Sequence, residues 1–338
     1  MQITNISRIM NTLDINGTYI LASYLKLDEI NKLGVISKHV HYNCRNFMTY
    51  VYNEYGYNKS YYRLHMAKWI VYKCNELLLQ ECISKKLTLV CVEFNNDFNK
   101  PIEALAKCTN LQQITFGNRF NQPIEALANC INLQQITFGW EFNQPVEALA
   151  NCTNLQQLSF GWLFNQPIEA LAKCTNLQQI TFGWEFNKPI EALANCTDLQ
   201  QITFGGDFNK PIETIANCTN LQQITFGDRF NQSIEALSRC TNLQQITFDG
   251  WFNQPIEALA SCTNLRQITF GADFNQPIES LAHCTDLQQI TFGRRFNKPI
   301  ESLANCTNLR RINFVKGSEF NASVEALPQR ITIRRRYS

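Results

Sequence analysis

The chain has 338 residues, more than one hydrophobic core usually supports, so its length predicts two domains or an elongated array. A hydrophobic content of 45% excludes a disordered chain, and no run of about 18 apolar residues is present to span a bilayer. Thirty Lys and Arg residues against 28 Asp and Glu residues give a net charge of +2, which argues against a nucleic-acid-binding or membrane-surface protein.

The first residues, MQITNISRIMNTLDING, contain neither the apolar segment nor the small-residue cleavage site of a secretory signal peptide. We therefore expect a reducing compartment, cytosol or nucleus, and take the cytoplasm as the expected location.

Residues 1–50 predict a small all-α module. Between Leu13 and Phe47 apolar residues recur at helical spacing, and Asp28 is placed to cap the second of several short helices. The residues with this spacing are Ile20, Leu21, Tyr24, Leu25, Ile30, Leu33 and Ile36. Residues 51–88 are rich in tyrosine and predict further helix, including His65 to Ile83, which would cover the open end of the core that follows.

A repeat of 22 residues occupies most of the remaining chain. Phe-Asn recurs ten times, from Phe98 to Phe296, in the unit F-N-[QK]-P-I-E-A-L-A-x-C-T-N-L-Q-Q-I-T-F-G-x-x. A two-residue insertion moves the next Phe-Asn to Phe320, and the last copy is truncated. Because strand-like residues from Leu89 align with the repeat, we assign residues 89–338 to the repeat region.

Each repeat divides into a helical half and an extended half. Pro101 at the first helical position and Glu103 near the positive end of the helix dipole predict a helix of one to two turns. Residues 111–116 end in period-two alternation, which predicts a strand that Gly117 ends. Neither half can bury its apolar face alone, so the sequence predicts an α/β solenoid of stacked repeats with parallel strands about 4.8 Å apart.

Cysteine and asparagine recur once in every repeat at positions that favour structural roles. The cysteines from Cys108 to Cys306 admit a disulfide or zinc interpretation, but only four histidines accompany them, and a small buried thiol in each repeat is the favoured interpretation. The asparagines equivalent to Asn99 are expected to stack and to satisfy backbone groups of the loops.

The two residues that follow each glycine vary most between repeats. Trp140, Trp162 and Trp184 occupy the same position in three adjacent repeats and predict a contiguous aromatic strip on the rim of the sheet. One interpretation is a self-stacked ladder that shields the loops, and the other is a hot spot for a binding partner. With Trp251 they are the candidate substrate-binding residues.

The sequence contains no motif that points to catalysis. It lacks a GxxxxGK[ST] phosphate loop, a GxSxG elbow, HExxH and any CxxC pair. The row of glutamates from Glu103 to Glu301 is explained by the helix dipoles rather than by acid catalysis. We therefore predict a non-enzymatic protein with no cofactor and no metal.

Two families share these patterns. The segment from Leu13 to about Phe47 resembles an F-box, although Asp14 replaces the usual Pro and Val40 replaces an aromatic residue. The matching residues are Leu13, Ile20-Leu21-Ala22-Ser23-Tyr24-Leu25, Asp28 and Ile36-Ser37-Lys38. The F-N-x-P-I units resemble the FNIP repeat, a relative of the leucine-rich repeats, over about two thirds of the chain. The pairing resembles the F-box and FNIP repeat-containing family of mimivirus-type giant viruses.

The resemblance implies a leucine-rich-repeat-like solenoid behind an F-box-like module. It implies an adaptor whose F-box docks on the small adaptor subunit of an SCF-type cullin ubiquitin ligase while the solenoid holds a protein substrate, in the host cytoplasm if the protein is viral. The implied docking residues are Leu13, Ile15, Ile20, Leu25, Leu33 and Ile36. Competing hypotheses are a scaffold or decoy that binds host proteins without any ubiquitin link, and a uniform Gln and Thr face that templates an ordered ligand.

Overall fold

The computed structural model describes residues 49–52, 68–84 and 86–335. Within these residues, 14 strands form one sheet in chain order, and every neighbouring pair is parallel. The strands are β1 Thr49–Tyr52, β2 Lys68–Cys74, β3 Thr88–Phe94, β4 Gln113–Thr115, β5 Gln135–Thr137, β6 Gln157–Ser159, β7 Gln179–Thr181, β8 Gln201–Thr203, β9 Gln223–Phe226, β10 Gln245–Phe248, β11 Gln267–Thr269, β12 Gln289–Phe292, β13 Arg311–Phe314 and β14 Thr332–Arg335. No helix in this part of the chain is long and apolar enough to cross a membrane. The predicted solenoid of stacked α/β repeats is confirmed.

Each repeat pairs with the same residues of the next repeat. Gln179 of β7 lies opposite Gln201 of β8, and Thr181 lies opposite Thr203. Identical repeats impose this register, because a shift of one residue would turn the buried isoleucine of each strand toward solvent. Residues 22 apart in the sequence therefore become neighbours in space.

The helical half of each repeat is a five-residue 3-10 helix of about 1.7 turns, so the predicted length of one to two turns is confirmed, but the helix starts at Glu103 and not at Pro101. The helix begins at Glu103, after Ile102, whose φ of −120° is not helical. Its N–H groups bond three residues back, as Leu105 does to the Ile102 carbonyl at 2.8 Å, because a rung of 22 residues leaves room only for this tighter turn. The ten 3-10 helices of these repeats are Glu103–Lys107, Glu125–Asn129, Glu147–Asn151, Glu169–Lys173, Glu191–Asn195, Glu213–Asn217, Glu235–Arg239, Glu257–Ser261, Glu279–His283 and Glu301–Asn305.

The core consists of columns of identical side chains, one from each repeat. Two phenylalanine columns form a continuous aromatic stack: Phe160 and Phe164, which are close in sequence, have ring centroids 3.7 Å apart, and the equivalent residues Phe164 and Phe186 are 6.0 Å apart. Leucine, isoleucine and cysteine columns fill the space around them and are almost fully buried. Since no single repeat encloses this core, neighbouring repeats must stack to stabilise each other.

The segment before the repeats differs from the helical prediction for residues 51–88. Residues 49–52 and 68–74 form strands that extend the sheet, and the one α-helix described there, α1 at Glu76–Ser84, covers only the end of the predicted helix. The run Lys68–Cys74 is rich in β-branched and aromatic residues, which favour a strand beside the free edge of β3. Val71 and Cys74 are fully buried and continue the core, and the Asn75 side chain accepts the Leu78 N–H at 2.8 Å to start α1.

Arginines close the carboxyl-terminal end of the core. The Arg335 guanidinium lies 6.0 Å from the ring centre of Phe314 and 5.7 Å from that of Phe320, which places it over the last phenylalanines of the stack. Arg330 donates from Nη2 to the Cys306 carbonyl at 3.3 Å. Arg335 thus lies over apolar rings of the last described rungs.

Candidate functional site

Glycines allow the turns after the strands to pack closely. A Cβ added at Gly161 would lie only 1.9 Å from the carbonyl oxygen of Gly139 in the previous repeat. This close approach lets backbone hydrogen bonds tie successive turns together: the Leu163 N–H donates to the Trp140 carbonyl and the Glu185 N–H to the Trp162 carbonyl, both at 3.0 Å. The two variable residues of each turn consequently form two parallel columns along the rim of the sheet.

The first column contains an exposed tryptophan ladder, which we define as Trp140, Trp162 and Trp184. Successive indole centroids lie 4.6 and 4.9 Å apart, with planes 5° from parallel. The three side chains are 51%, 36% and 39% exposed. Because their faces stack on one another, they present mainly ring edges to solvent. The predicted contiguous strip is confirmed, whereas its role as a hot spot stays a prediction.

The ends of the ladder are set by its neighbours in the sequence. Gly206 occupies the next position in the column, and a Cβ there would lie 2.4 Å from the Trp184 ring, so the missing side chain makes room for the indole. Trp251 does not join the ladder, since it lies in the second column, 56% exposed, with the Arg229 guanidinium 5.8 Å from its ring centre. The grouping of four rim tryptophans therefore separates into a stack of three and a distant fourth.

The second column carries most of the rim charges. Three of its acids pair with the arginine of the next repeat: Asp97 with Arg119 at 3.4 Å, Asp207 with Arg229 at 3.1 Å and Asp273 with Arg295 at 3.3 Å. Beside the tryptophan ladder, Glu141, Leu163 and Glu185 occupy this column, and neither glutamate forms an ion pair with any residue that the structure describes. Sequence reasoning did not select these glutamates, although comparing the column from repeat to repeat gives the signal.

The outer face of the sheet is polar and nearly free of charge in the same repeats. The Gln and Thr or Ser residues of β5 to β8 line a shallow depression there. They stand in register from strand to strand, as Gln135 does with Gln157. This face supplies hydrogen-bonding groups next to the ladder but does not select a partner by charge.

An asparagine ladder fixes the chain just after the rim residues, where it runs from the strand to the 3-10 helix. The Asn143 side-chain oxygen accepts the Asn165 backbone N–H at 2.9 Å and the Gln166 amide at 3.0 Å. The same bond to the next asparagine recurs along the solenoid, as from Asn187 to the Asn165 oxygen at 3.0 Å. The expected structural role of these residues is confirmed.

The repeat cysteines are free, buried thiols in this structure, as the favoured interpretation predicted. The Cys130 thiol donates to the Leu105 carbonyl at 3.4 Å, and the Cys174 thiol to the Leu149 carbonyl at 3.4 Å. Burial, with smaller contributions from neighbouring cysteines, raises the pKa of Cys152 to about 12, which disfavours the reactive thiolate. In the described part of the chain, no three His, Cys, Asp or Glu side chains converge to hold a metal ion.

The predicted docking residues of the F-box-like segment lie outside the described residues. They are Leu13, Ile15, Ile20, Leu25, Leu33 and Ile36. The rim of the solenoid is therefore the candidate interaction surface that the structure describes.

Comparison with known families identifies the repeats as leucine-rich repeats. The sequence matches the family described as the BspA-type leucine rich repeat region, in six copies, over residues 80–188, 102–213, 169–276 and 211–324. No curated protein matches it significantly.

Three solved structures illustrate the similarity in fold. The internalin InlF of Listeria monocytogenes is 18% identical with a TM-score of 0.66, and the match covers 81% of this chain and 82% of InlF. CroV588, a circular leucine-rich-repeat protein, is 27% identical with a TM-score of 0.51 over 72% of this chain and 43% of CroV588. TLR13, solved with the RNA ssRNA13, is 11% identical with a TM-score of 0.60 over 79% of this chain and 46% of TLR13. This chain thus spans less than half of the last two.

Proposed function

Because the chain belongs to the family of proteins with BspA-type leucine-rich repeats, we propose that it is a non-enzymatic interaction protein whose solenoid binds a protein partner along the tryptophan ladder. The leucine-rich-repeat fold is typically an interaction scaffold without catalytic activity. The observation that carries the proposal is the ladder itself: three adjacent indoles remain about a third to a half exposed on the rim. Tryptophan is the residue type most enriched at binding hot spots.

This part of the proposal is tested by changing Trp140, Trp162 and Trp184 together to alanine in the full chain. We expect capture of host-lysate proteins by the immobilised chain to lose specific partners, while the far-ultraviolet circular dichroism of the chain is preserved. Trp251→Ala is the matched control, because it removes an equally exposed tryptophan outside the stack. Unchanged capture with a lowered melting temperature would leave the ladder a purely stabilising feature.

The resemblance of the amino-terminal segment to an F-box suggests a second partner, which binds outside the solenoid. We infer that the F-box-like residues 13–47 dock on the small adaptor subunit of an SCF-type cullin ubiquitin ligase, so that the chain recruits substrates for ubiquitination in the cytoplasm of a host cell. The exposed ladder supports this role, because a substrate-recruiting subunit needs a second surface for its substrate.

Co-elution of the purified full chain with the purified ligase adaptor subunit tests the ubiquitin link. We expect a stable complex from the unaltered chain, and loss of the complex when Leu13, Ile20 and Leu25 are changed together to Asp. The triple tryptophan variant should still co-elute, since its changes lie in the solenoid. A folded chain that never binds the adaptor subunit would refute the ligase role and favour the scaffold or decoy hypothesis.

A further inference from the structure

The tryptophan ladder and the column beside it form one surface, which we call the rim patch: Trp140, Trp162, Trp184, Glu141, Leu163 and Glu185. We infer that the rim patch binds a protein segment that carries two cationic side chains with an apolar side chain between them. This inference rests on the proposed function and adds to it the chemistry of the partner.

The charges of the rim support a cationic partner. Elsewhere in the second column, Asp97, Asp207 and Asp273 are each neutralised by an arginine of the next repeat at 3.1 to 3.4 Å. Glu141 and Glu185 form no such pair with any described residue, so two carboxylates beside the ladder are not neutralised by an internal ion pair. A cation from a partner can therefore bind there without displacing an internal ion pair.

The spacing of the patch defines the segment further. Glu141 and Glu185 lie two rungs apart, which is about 10 Å at the strand spacing of about 4.8 Å. Three residues of a polyproline II segment rise about 9 Å and bring side chains i and i+3 to the same side, so two cationic residues at positions i and i+3 match the two carboxylates. Leu163 lies between the glutamates and is only partly buried, and the indole edges run alongside, so the side chains between the cations are expected to be apolar.

The surroundings of the patch favour a polypeptide over ligands that carry phosphate groups, such as nucleic acids and phospholipids. The carboxylates repel phosphate groups, whereas the adjoining Gln and Thr face of β5 to β8 offers neutral hydrogen-bonding groups for a peptide backbone. Stacking at 4.6 and 4.9 Å covers both faces of Trp162 and one face each of Trp140 and Trp184. Cation–π contacts with the inner ring are therefore blocked, and recognition of the cations falls mainly to the glutamates.

Selection from a random 12-residue peptide display library on the full chain tests this chemistry directly. Counter-selection on the triple Trp→Ala variant restricts the output to binders that depend on the ladder. We expect the enriched peptides to carry two Arg or Lys residues three positions apart with an apolar residue between them. We also expect their affinity to fall as salt rises from about 50 mM to about 300 mM, because exposed ion pairs are screened.

Reversing the charge of two glutamates at a time tests whether Glu141 and Glu185 bind the cationic residues of the peptide. For an enriched peptide, Glu141→Lys with Glu185→Lys should weaken binding about tenfold, from the loss of two exposed ion pairs. Glu147→Lys with Glu191→Lys makes the same change in net charge on the exposed helix row of the repeats that follow, and should weaken binding less than about threefold.

The outcomes separate this inference from the proposed function. Ladder-dependent peptides that are neutral or acidic would overturn the inference and leave the ladder a binding site. An output without ladder-dependent peptides would overturn the inference as well, while co-elution with the ligase adaptor subunit would still test the ligase role. Equal effects of the two charge-reversal pairs would show that net charge, and not the rim patch, selects the peptides.

Discussion

Replacing Gly161 by alanine tests whether close contact between successive turns holds the rim in place. The new Cβ would lie 1.9 Å from the Gly139 carbonyl oxygen and 2.3 Å from its carbon, whereas ordinary contacts begin at 3.4 Å. The clash is with backbone, so the two turns must separate by about 1.5 Å. That displacement would break the 3.0 Å hydrogen bond from the Leu163 N–H to the Trp140 carbonyl. We expect a loss of about 3 kcal/mol in the free energy of unfolding, from strain and the lost bond.

The chain itself supplies a matched control for this change. Asp249 stands at the glycine position of its repeat, and the next residue, Gly250, takes a positive φ of 39° that lets the turn follow another path. Gly205 is likewise followed by a glycine, Gly206, although its added Cβ would lie 2.0 Å from the Gly183 oxygen. Gly205→Ala should therefore cost less than Gly161→Ala, about 1 to 2 kcal/mol, because Gly206 can adopt the same relief.

Urea unfolding followed by circular dichroism and by tryptophan fluorescence measures both variants. The two signals must coincide before free energies are compared, because arrays of repeats can unfold in more than one step. A midpoint for Gly161→Ala equal to that of the unaltered chain would refute the reasoning. Equal losses for the two variants would refute the part that depends on the following glycine.

Three further predictions concern the asparagine ladder, the rim and the core. Asn143→Ala removes the acceptor of the Asn165 N–H and should lower the free energy of unfolding in urea by about 1 to 2 kcal/mol. Asn143→Asp keeps the accepting oxygen and should lower it by less than half as much. Equal losses for the two variants would contradict the role of the acceptor. Burial, and then the neighbouring Asp228, raises the pKa of Asp249, so its ionised form is disfavoured in the folded state. Asp249→Asn should thus raise the melting temperature at pH 7, with the gain disappearing as the pH falls through the pKa of Asp249, and an unchanged melting temperature would argue against the effect. Burial raises the pKa of Cys152 to about 12, so the thiols of its column should resist Ellman's reagent at pH 8 until urea unfolds the chain. The free energy of unfolding should fall as the pH rises from about 9 toward 12, because the unfolded thiols lose protons that the folded thiols keep. Rapid labelling of the folded chain would contradict this.

Local patterns gave much of the fold because every repeat carries its own core residues. The alternation in residues 111–116 predicted a strand with one apolar face, and Ile114 of that strand is fully buried. The helical half was less predictable, because a five-residue 3-10 turn and a short α-helix share the same apolar spacing over so few residues. The strand Lys68–Cys74 was read as helix since its pattern fits both, and the free edge of β3 decided between them.

The candidate site shows the same division. The sequence by itself determined that residues 22 apart share one position, so it placed Trp140, Trp162 and Trp184 in one column and showed how many 22-residue repeats follow one another. Only the tertiary structure decided that their indoles stack face to face, that Gly206 ends the stack, and that Glu141 pairs with no arginine among the described residues. The physical reason is that a repeat specifies which side chains become neighbours, whereas the separation of the turns and the packing of adjacent side chains determine which of those neighbours pair and which remain free to bind.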